Sequence, residues 1–87
     1  MYELILTRNA ERDLQRLDAR IQRQVLSKLE RLCENCDKYS HQALKGPYKG
    51  KFKLPCGNYR AIYTYDKEKR TIEVSRIQHR SSVYKRD

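Results

Sequence analysis

After a short opening segment, apolar side chains recur every three or four residues to about Cys36 and every second residue from about Lys49, so the hydrophobic period passes there from helical to extended. Ile21, Val25, Leu29, Leu32 and Cys36 form one stripe, widened by Leu26 and Cys33, while Arg, Gln, Lys and Glu fill the other positions. That is the pattern of a helix with one buried face. Asp18 precedes it and suits the N-cap, because its carboxylate can accept an orphan backbone N–H of the first turn. Upstream, Ala10, Leu14 and Leu17 set a shorter stripe, with Thr7 or Asn9 as cap and Glu11 and Asp13 in the first turn, where the helix dipole favours acids. Before that, "YELIL" at Tyr2 to Leu6 reads as a short strand.

The segment "DKYSHQALKGPYKG" carries the Ser, Gly and Pro of an irregular connection. Beyond it, Lys49 to Leu54 is expected to form a strand, and Pro55-Cys56-Gly57 suits a type I turn with Pro second and Gly fourth. Tyr59 to Tyr65 has apolar bulk on both faces, which places it centrally in a sheet. "DKEKR" makes a second hairpin loop before a strand from Thr71 to Ile77, and "QHRSSVYKRD" is left as a short tail. The order predicts an α+β fold: an N-terminal strand, a helical hairpin, then a three-stranded antiparallel meander, with the helices packed on one face of a small sheet. All 87 residues are expected to form a single domain, since a core of this size buries only about 60 to 65% of the unfolded surface and cannot be divided.

The formal net charge of +9 sits in one half. Residues 1–37 hold seven basic and seven acidic side chains, whereas residues 38–87 hold thirteen basic ones against Asp66, Glu68, Glu73 and Asp87. Between Asp37 and Asp66 the only charged residues are Lys38, Lys45, Lys49, Lys51, Lys53 and Arg60. Charge concentrated in this way points to a polyanionic partner, most often nucleic acid. No apolar run approaches the roughly 18 residues that cross a bilayer, and the start "MYELILTRNAERD" turns polar too early for a signal peptide. An odd count of three cysteines fits a reducing compartment, so a cytoplasmic protein with no membrane partner is expected.

Lys49, Lys51 and Lys53 alternate along one expected strand, which stands three ammonium groups on one side, about 7 Å apart, with Phe52 and Leu54 on the other. Arg60 opens the next strand across the turn, and Arg80 follows the last strand, near His79 and Tyr84. Alternating lysines also keep a strand soluble and block edge pairing. The lack of nearby acids and the facing arginine favour phosphate binding instead. No carboxylate pair in the basic half has a metal-binding or acid/base spacing, and no Gly-rich phosphate loop is present, so neither a metal nor another cofactor is expected.

Cleavage of RNA without a metal needs a base for the 2′-hydroxyl, an acid for the leaving 5′-oxygen and positive charge on the phosphorane between them. Lysine normally titrates near about 10.4 and is a poor base, but crowded cations lower that value. Arginine stays protonated and grips phosphate with a bidentate fork, so Arg60 and Arg80 read as clamps. Tyr84 suits stacking on a base or proton transfer, and equally a place in the core.

Other groups carry less. "CENC" at Cys33 to Cys36 invites a zinc reading with His41 and Cys56, but zinc sites usually show two such pairs, and both cysteines continue a helical apolar stripe. Buried or semi-exposed structural thiols are expected there, with His41 a bystander in the loop. Ser81, His79 and Asp87 share one short tail and lack the scaffold that orients a nucleophilic triad.

Three segments together, "LKG" at Leu44 to Gly46, "KFKLPCGNYRAIYTYD" at Lys51 to Asp66 and "VSRIQHRSSVY" at Val74 to Tyr84, make the chain resemble the RelE family of toxins from bacterial toxin–antitoxin pairs over essentially its whole length. The resemblance implies an mRNA interferase that cuts messenger RNA in the ribosomal A site without a metal, and an antitoxin whose segments wrap the toxin and mask its basic face. It matches Lys51 and Lys53 to the paired lysines of the catalytic strand, with Lys53 as general base. Arg60 matches the arginine that stabilises the phosphate, and Tyr84 the tyrosine that stacks on the cleaved nucleotide. Two residues that usually precede "RS" are missing here, so the second catalytic arginine corresponds to Arg80 or to His79; Arg80 is preferred, with His79 beside it as a candidate acid. Lys45, Lys49, His79 and Lys85 complete the expected RNA-binding surface. ParE-like toxins resemble these and poison DNA gyrase without cutting RNA, though they usually lack the lysine strand and basic tail. A non-catalytic basic RNA-binding module is the remaining alternative.

Overall fold

Two side-chain caps define the helical hairpin. In the computed structural model, which describes residues 1–81, the Thr7 hydroxyl accepts from the Ala10 N–H at 3.2 Å and starts α1 (Arg8–Gln15). The Asp18 carboxylate accepts from the Ile21 N–H at 3.0 Å and starts α2 (Ala19–Asn35). Val25, Leu29, Leu32 and Cys33 are buried on α2, as the stripe predicts. They pack with Leu54, Ala61, Tyr63, Ile72, Val74 and Ile77 of the sheet in one core, where each fully buried aliphatic side chain contributes about 1.5–3 kcal/mol.

The sheet has five strands, β1 (Glu3–Leu6), β2 (Gln42–Ala43), β3 (Phe52–Cys56), β4 (Tyr59–Asp66) and β5 (Thr71–His79), in the order β1-β5-β4-β3-β2. β1 runs parallel to β5, and the other pairs are antiparallel. The expected α+β arrangement holds, with β4 central. Ala61 and Tyr63 face the helices, whereas Ile62 between them points to the opposite face and is nevertheless fully buried. Side chains on that second face therefore cover the strand.

The basic strand begins later than expected. Pro47 lies in a 3₁₀ turn (Gly46–Tyr48), Gly46 and Gly50 take φ of 65° and 91°, and the Lys49 and Lys51 N–H groups bond to Gly46 and Tyr48 at 3.0 Å. Those turn bonds replace a ladder, so the strand starts at Phe52 and Lys49 is not on it. The hairpin turn is also displaced from Pro55-Cys56-Gly57. Cys56 pairs with Tyr59, leaving Gly57-Asn58 as a two-residue loop with φ of 64° at Gly57, the glycine-first geometry that matches strand twist. Pro55 sits inside β3, where it is tolerated because β2 has already ended and the missing N–H faces no partner strand.

β5 carries an extra residue. Ile62 pairs with Arg76 and Tyr63 with Val74, so Ser75 has no opposite number and forms a β-bulge.

The connection after α2 is fastened by the residue expected to be a bystander. His41 Nε2 lies 2.9 Å from the Cys36 carbonyl, Nδ1 meets the Tyr63 hydroxyl, and the ring stacks on Tyr65 at 4.2 Å with Phe52 and Tyr39 alongside. A carbonyl only accepts, so Nε2 carries a proton and Nδ1 takes the Tyr63 hydroxyl. Burial raises the Tyr63 pKa well above the ordinary value, which keeps that donor protonated.

A second fastening joins β1 to the end of α2. The Tyr2 hydroxyl donates to Asp37 at 2.7 Å, and the Arg70 guanidinium lies 4.7 Å from the ring centroid and 3.6 Å from Asp37. The bond to Asp37, aided by burial, pushes the Tyr2 pKa up to about 12 from 10.0. A pKa raised on folding stabilises the fold below the unfolded value and ceases to do so as pH climbs from 10 to 12. In an alkaline titration followed by tyrosinate absorbance, one step is expected near pH 12, and Tyr2→Phe should remove it; ionisation of Tyr2 near 10 would contradict the assignment.

Candidate functional site

Because Leu54, Ala61 and Ile77 face the helices, alternation sends their neighbours to the open face. Lys53, Ile62 and Arg76 line up across three strands there, with Pro55, Arg60 and Gln78 as the next row. Lys53 and Arg60 are diagonal neighbours on adjacent strands, about 7–8 Å apart at the backbone and both half-buried. Lys51, just ahead of β3, donates from Nζ to Ser75 Oγ at 3.3 Å, and that hydroxyl donates onward to the Ile62 carbonyl at 3.2 Å. The extra residue of β5 thus holds a lysine over the middle of the sheet.

The same face holds residues that the sequence reading did not select. The Tyr48 hydroxyl donates to Gln78 Oε1 at 3.4 Å, so its ring reaches from the 3₁₀ turn towards β5. Arg76 is gripped by Asp13 of α1, with Nε and Nη2 donating to the two carboxylate oxygens at 2.8 and 3.2 Å. Those bonds raise the Arg76 pKa further. Asp13, an acid that the helix dipole alone would explain, is buried and also accepts the Ile77 N–H at 2.9 Å. One signal in the sequence pointed here: Ile72 and Val74 are two apart but Val74 and Ile77 are three apart, the spacing of a bulged strand.

Other expected site residues fall elsewhere. Lys45 and Lys49 flank the 3₁₀ turn and are exposed, and neither lies on a strand. His79 pairs with Tyr59 and packs edge-on against its ring at 5.3 Å, on the helix side of the sheet, so it does not join Lys53 and Arg60. Its Nδ1 lies 2.9 Å from Ser81 Oγ. The Arg80 N–H donates to the Asn58 carbonyl at 2.8 Å, which fastens the end of β5 to the β3–β4 turn, and Arg80 is exposed. Tyr84 and Lys85 lie outside the described residues.

All three cysteines are buried, and burial raises each thiol pKa, Cys56 to about 11, so they stay protonated. Among the described residues, no three His, Cys, Asp or Glu side chains group as metal ligands, and no helix is long and apolar enough to cross a membrane. The open face therefore offers fixed cations, hydroxyls and an aromatic ring, a set suited to holding a phosphodiester.

The family model described as the ParE toxin of type II toxin–antitoxin system, parDE, matches residues 4–84. No curated protein matches the sequence. Among solved structures, a chain of the RelBE2 toxin–antitoxin complex from Mycobacterium tuberculosis is 30% identical, with a TM-score of 0.78, over 91% of this chain and 98% of that one. The isolated RelE toxin of E. coli is 22% identical, with a TM-score of 0.75, over 98% of this chain and 93% of that one. A chain of the YoeB–YefM complex of Staphylococcus aureus is 16% identical, with a TM-score of 0.70, over 91% of this chain and 97% of that one. The last two are likenesses of fold. With a family match over nearly its whole length and a relative of 30% identity on the same fold, the chain belongs to the RelE/ParE superfamily of toxins of type II toxin–antitoxin systems.

Proposed function

We propose that this toxin is an endoribonuclease that cleaves messenger RNA in the ribosomal A site without a metal, and so inhibits translation. The observation that carries the reading is the grouping of Lys51, Lys53 and Arg60 on the open face, with Arg80 bonded to the adjoining turn. In this reading Lys53 takes the proton of the 2′-hydroxyl as that oxygen attacks phosphorus. Arg60 and Arg80 hold the charged phosphorane. The Lys51 ammonium protonates the departing 5′-oxygen, leaving a 2′,3′-cyclic phosphate and a 5′-hydroxyl. His79 is passed over as the acid because it faces the helices. Tyr84 stacks on the cleaved nucleotide, Lys45, Lys49 and Lys85 extend the contact to the RNA backbone, and no cofactor takes part.

The partner that restrains it is an antitoxin whose acidic segments cover the basic face, as the toxin–antitoxin complexes among its structural relatives suggest. The setting is the cytoplasm.

A second reading, inhibition of DNA gyrase, is favoured by the description of the matching family. Expression in growing cells, with messenger ends mapped beside a gyrase supercoiling assay, separates the two. Messenger cut to cyclic-phosphate ends with normal supercoiling is the expected result. Inhibited gyrase with intact messenger overturns the ribonuclease reading.

A further inference from the structure

We propose that Arg76, held side-on by Asp13 of α1, is a further phosphate-binding residue of the open face, and that Asp13 is its positioning residue. The inference rests on the RNA-binding reading above and adds two residues to it.

The ion pair is unequal. The Asp13 side chain keeps 9% of its surface exposed, whereas Arg76 keeps 39%. Asp13 is also anchored independently of Arg76. β1 ends at Leu6, so the Ile77 N–H on that side of β5 has no strand to pair with, and the Asp13 carboxylate accepts it at 2.9 Å. The carboxylate is thus fixed by the sheet edge, and the guanidinium is fixed by the carboxylate.

A guanidinium has five N–H donors in one plane. Asp13 engages the edge formed by Nε and Nη2, which leaves three N–H groups, including the whole of Nη1, for other acceptors. The edge formed by Nη1 and Nη2 has the spacing of a second bidentate seat, and a phosphate is the oxyanion that fits it. Arg76 pairs with Ile62, in the row of Lys53, so that seat opens on the face where the RNA backbone would lie. Because Asp13 cancels the formal charge of Arg76, the contribution is directional bonding at close range and not long-range attraction.

That last point makes the test selective. The double variant Asp13→Asn, Arg76→Gln changes no net charge, keeps the shape of residue 13, replaces the guanidinium with a shorter neutral amide and leaves an oxygen for the Ile77 N–H. Binding of a short 2′-O-methyl RNA, which cannot be cleaved, would be followed by fluorescence anisotropy, with thermal unfolding as the check on folding. The expected result is about tenfold weaker binding at an unchanged unfolding midpoint, the size of one lost charge-assisted contact. Unchanged affinity overturns the proposal. If the double variant does not fold, Arg76→Lys serves, since it keeps the charge and one bond to Asp13 but has no second edge; about tenfold weaker binding is again expected, and full binding again overturns the proposal. Arg60→Ala in the same assay separates the two levels. Weaker binding there, with the Arg76 variants unaffected, sinks this inference alone, and no effect from any of them sinks the RNA-binding reading with it.

Discussion

Lys53→Ala is expected to lower ribosome-dependent cleavage by about 10²–10⁴-fold, the usual contribution of a general base, while leaving affinity for the ribosome nearly intact. The reason is positional. Lys53 pairs with the fully buried Ile62 in the middle of the sheet, so rigid strands carry it, whereas in the proposed function ribosome affinity would be spread over many basic side chains. Single-turnover cleavage of messenger on programmed ribosomes gives the first quantity and co-sedimentation gives the second. Equal loss of both would show that Lys53 contributes only charge.

Replacing both Arg60 and Arg80 with Ala should relieve growth arrest on expression. Removing one preorganised donor from a developing oxyanion typically costs about 10²–10³ in rate, and two such losses leave too little cleavage to stop translation. Arg60→Lys is not expected to restore wild-type cleavage, because an ammonium supplies the charge without the planar fork. Arrest that persists in the double variant, at equal protein level, would count against the whole site assignment. Arg80 is bonded through its backbone N–H to Asn58, which its substitution leaves in place, so the comparison reports on the side chains.

Much of the architecture was legible because it rests on local chemistry. The α2 stripe from Ile21 to Cys36, the Asp18 cap and the change of period each have one physical cause, and the resemblance carried by "KFKLPCGNYRAIYTYD" and "VSRIQHRSSVY" agrees with the superfamily found by comparison. What stayed hidden depends on long-range pairing. Gly46 and Gly50 flank Lys49 in the chain, but residue type alone does not fix the left-handed φ that keeps it off the strand, and the alternation of Lys49, Lys51 and Lys53 suggests the opposite. β2, two exposed residues long, has no hydrophobic pattern at all. Asp13 looked like a dipole-satisfying acid because its true partners are 63 and 64 residues away, and His41 looked idle because Tyr63 and Tyr65 are distant in sequence. Within the candidate site, Lys53 and Arg60 were legible as strand residues flanking a turn, while the orientation of His79 required the full β4–β5 register.

Ser75 has a consequence of a different kind. A strand one residue shorter would keep Val74 and Ile77 facing the helices, because the bulge adds length without changing which side its neighbours occupy. The core has no stake in that position, yet its hydroxyl meets both Lys51 and the Ile62 carbonyl. Gain or loss of a single codon there alters the outer surface of β5 while the inner one stays as it was, so the two faces of this sheet can follow separate evolutionary histories.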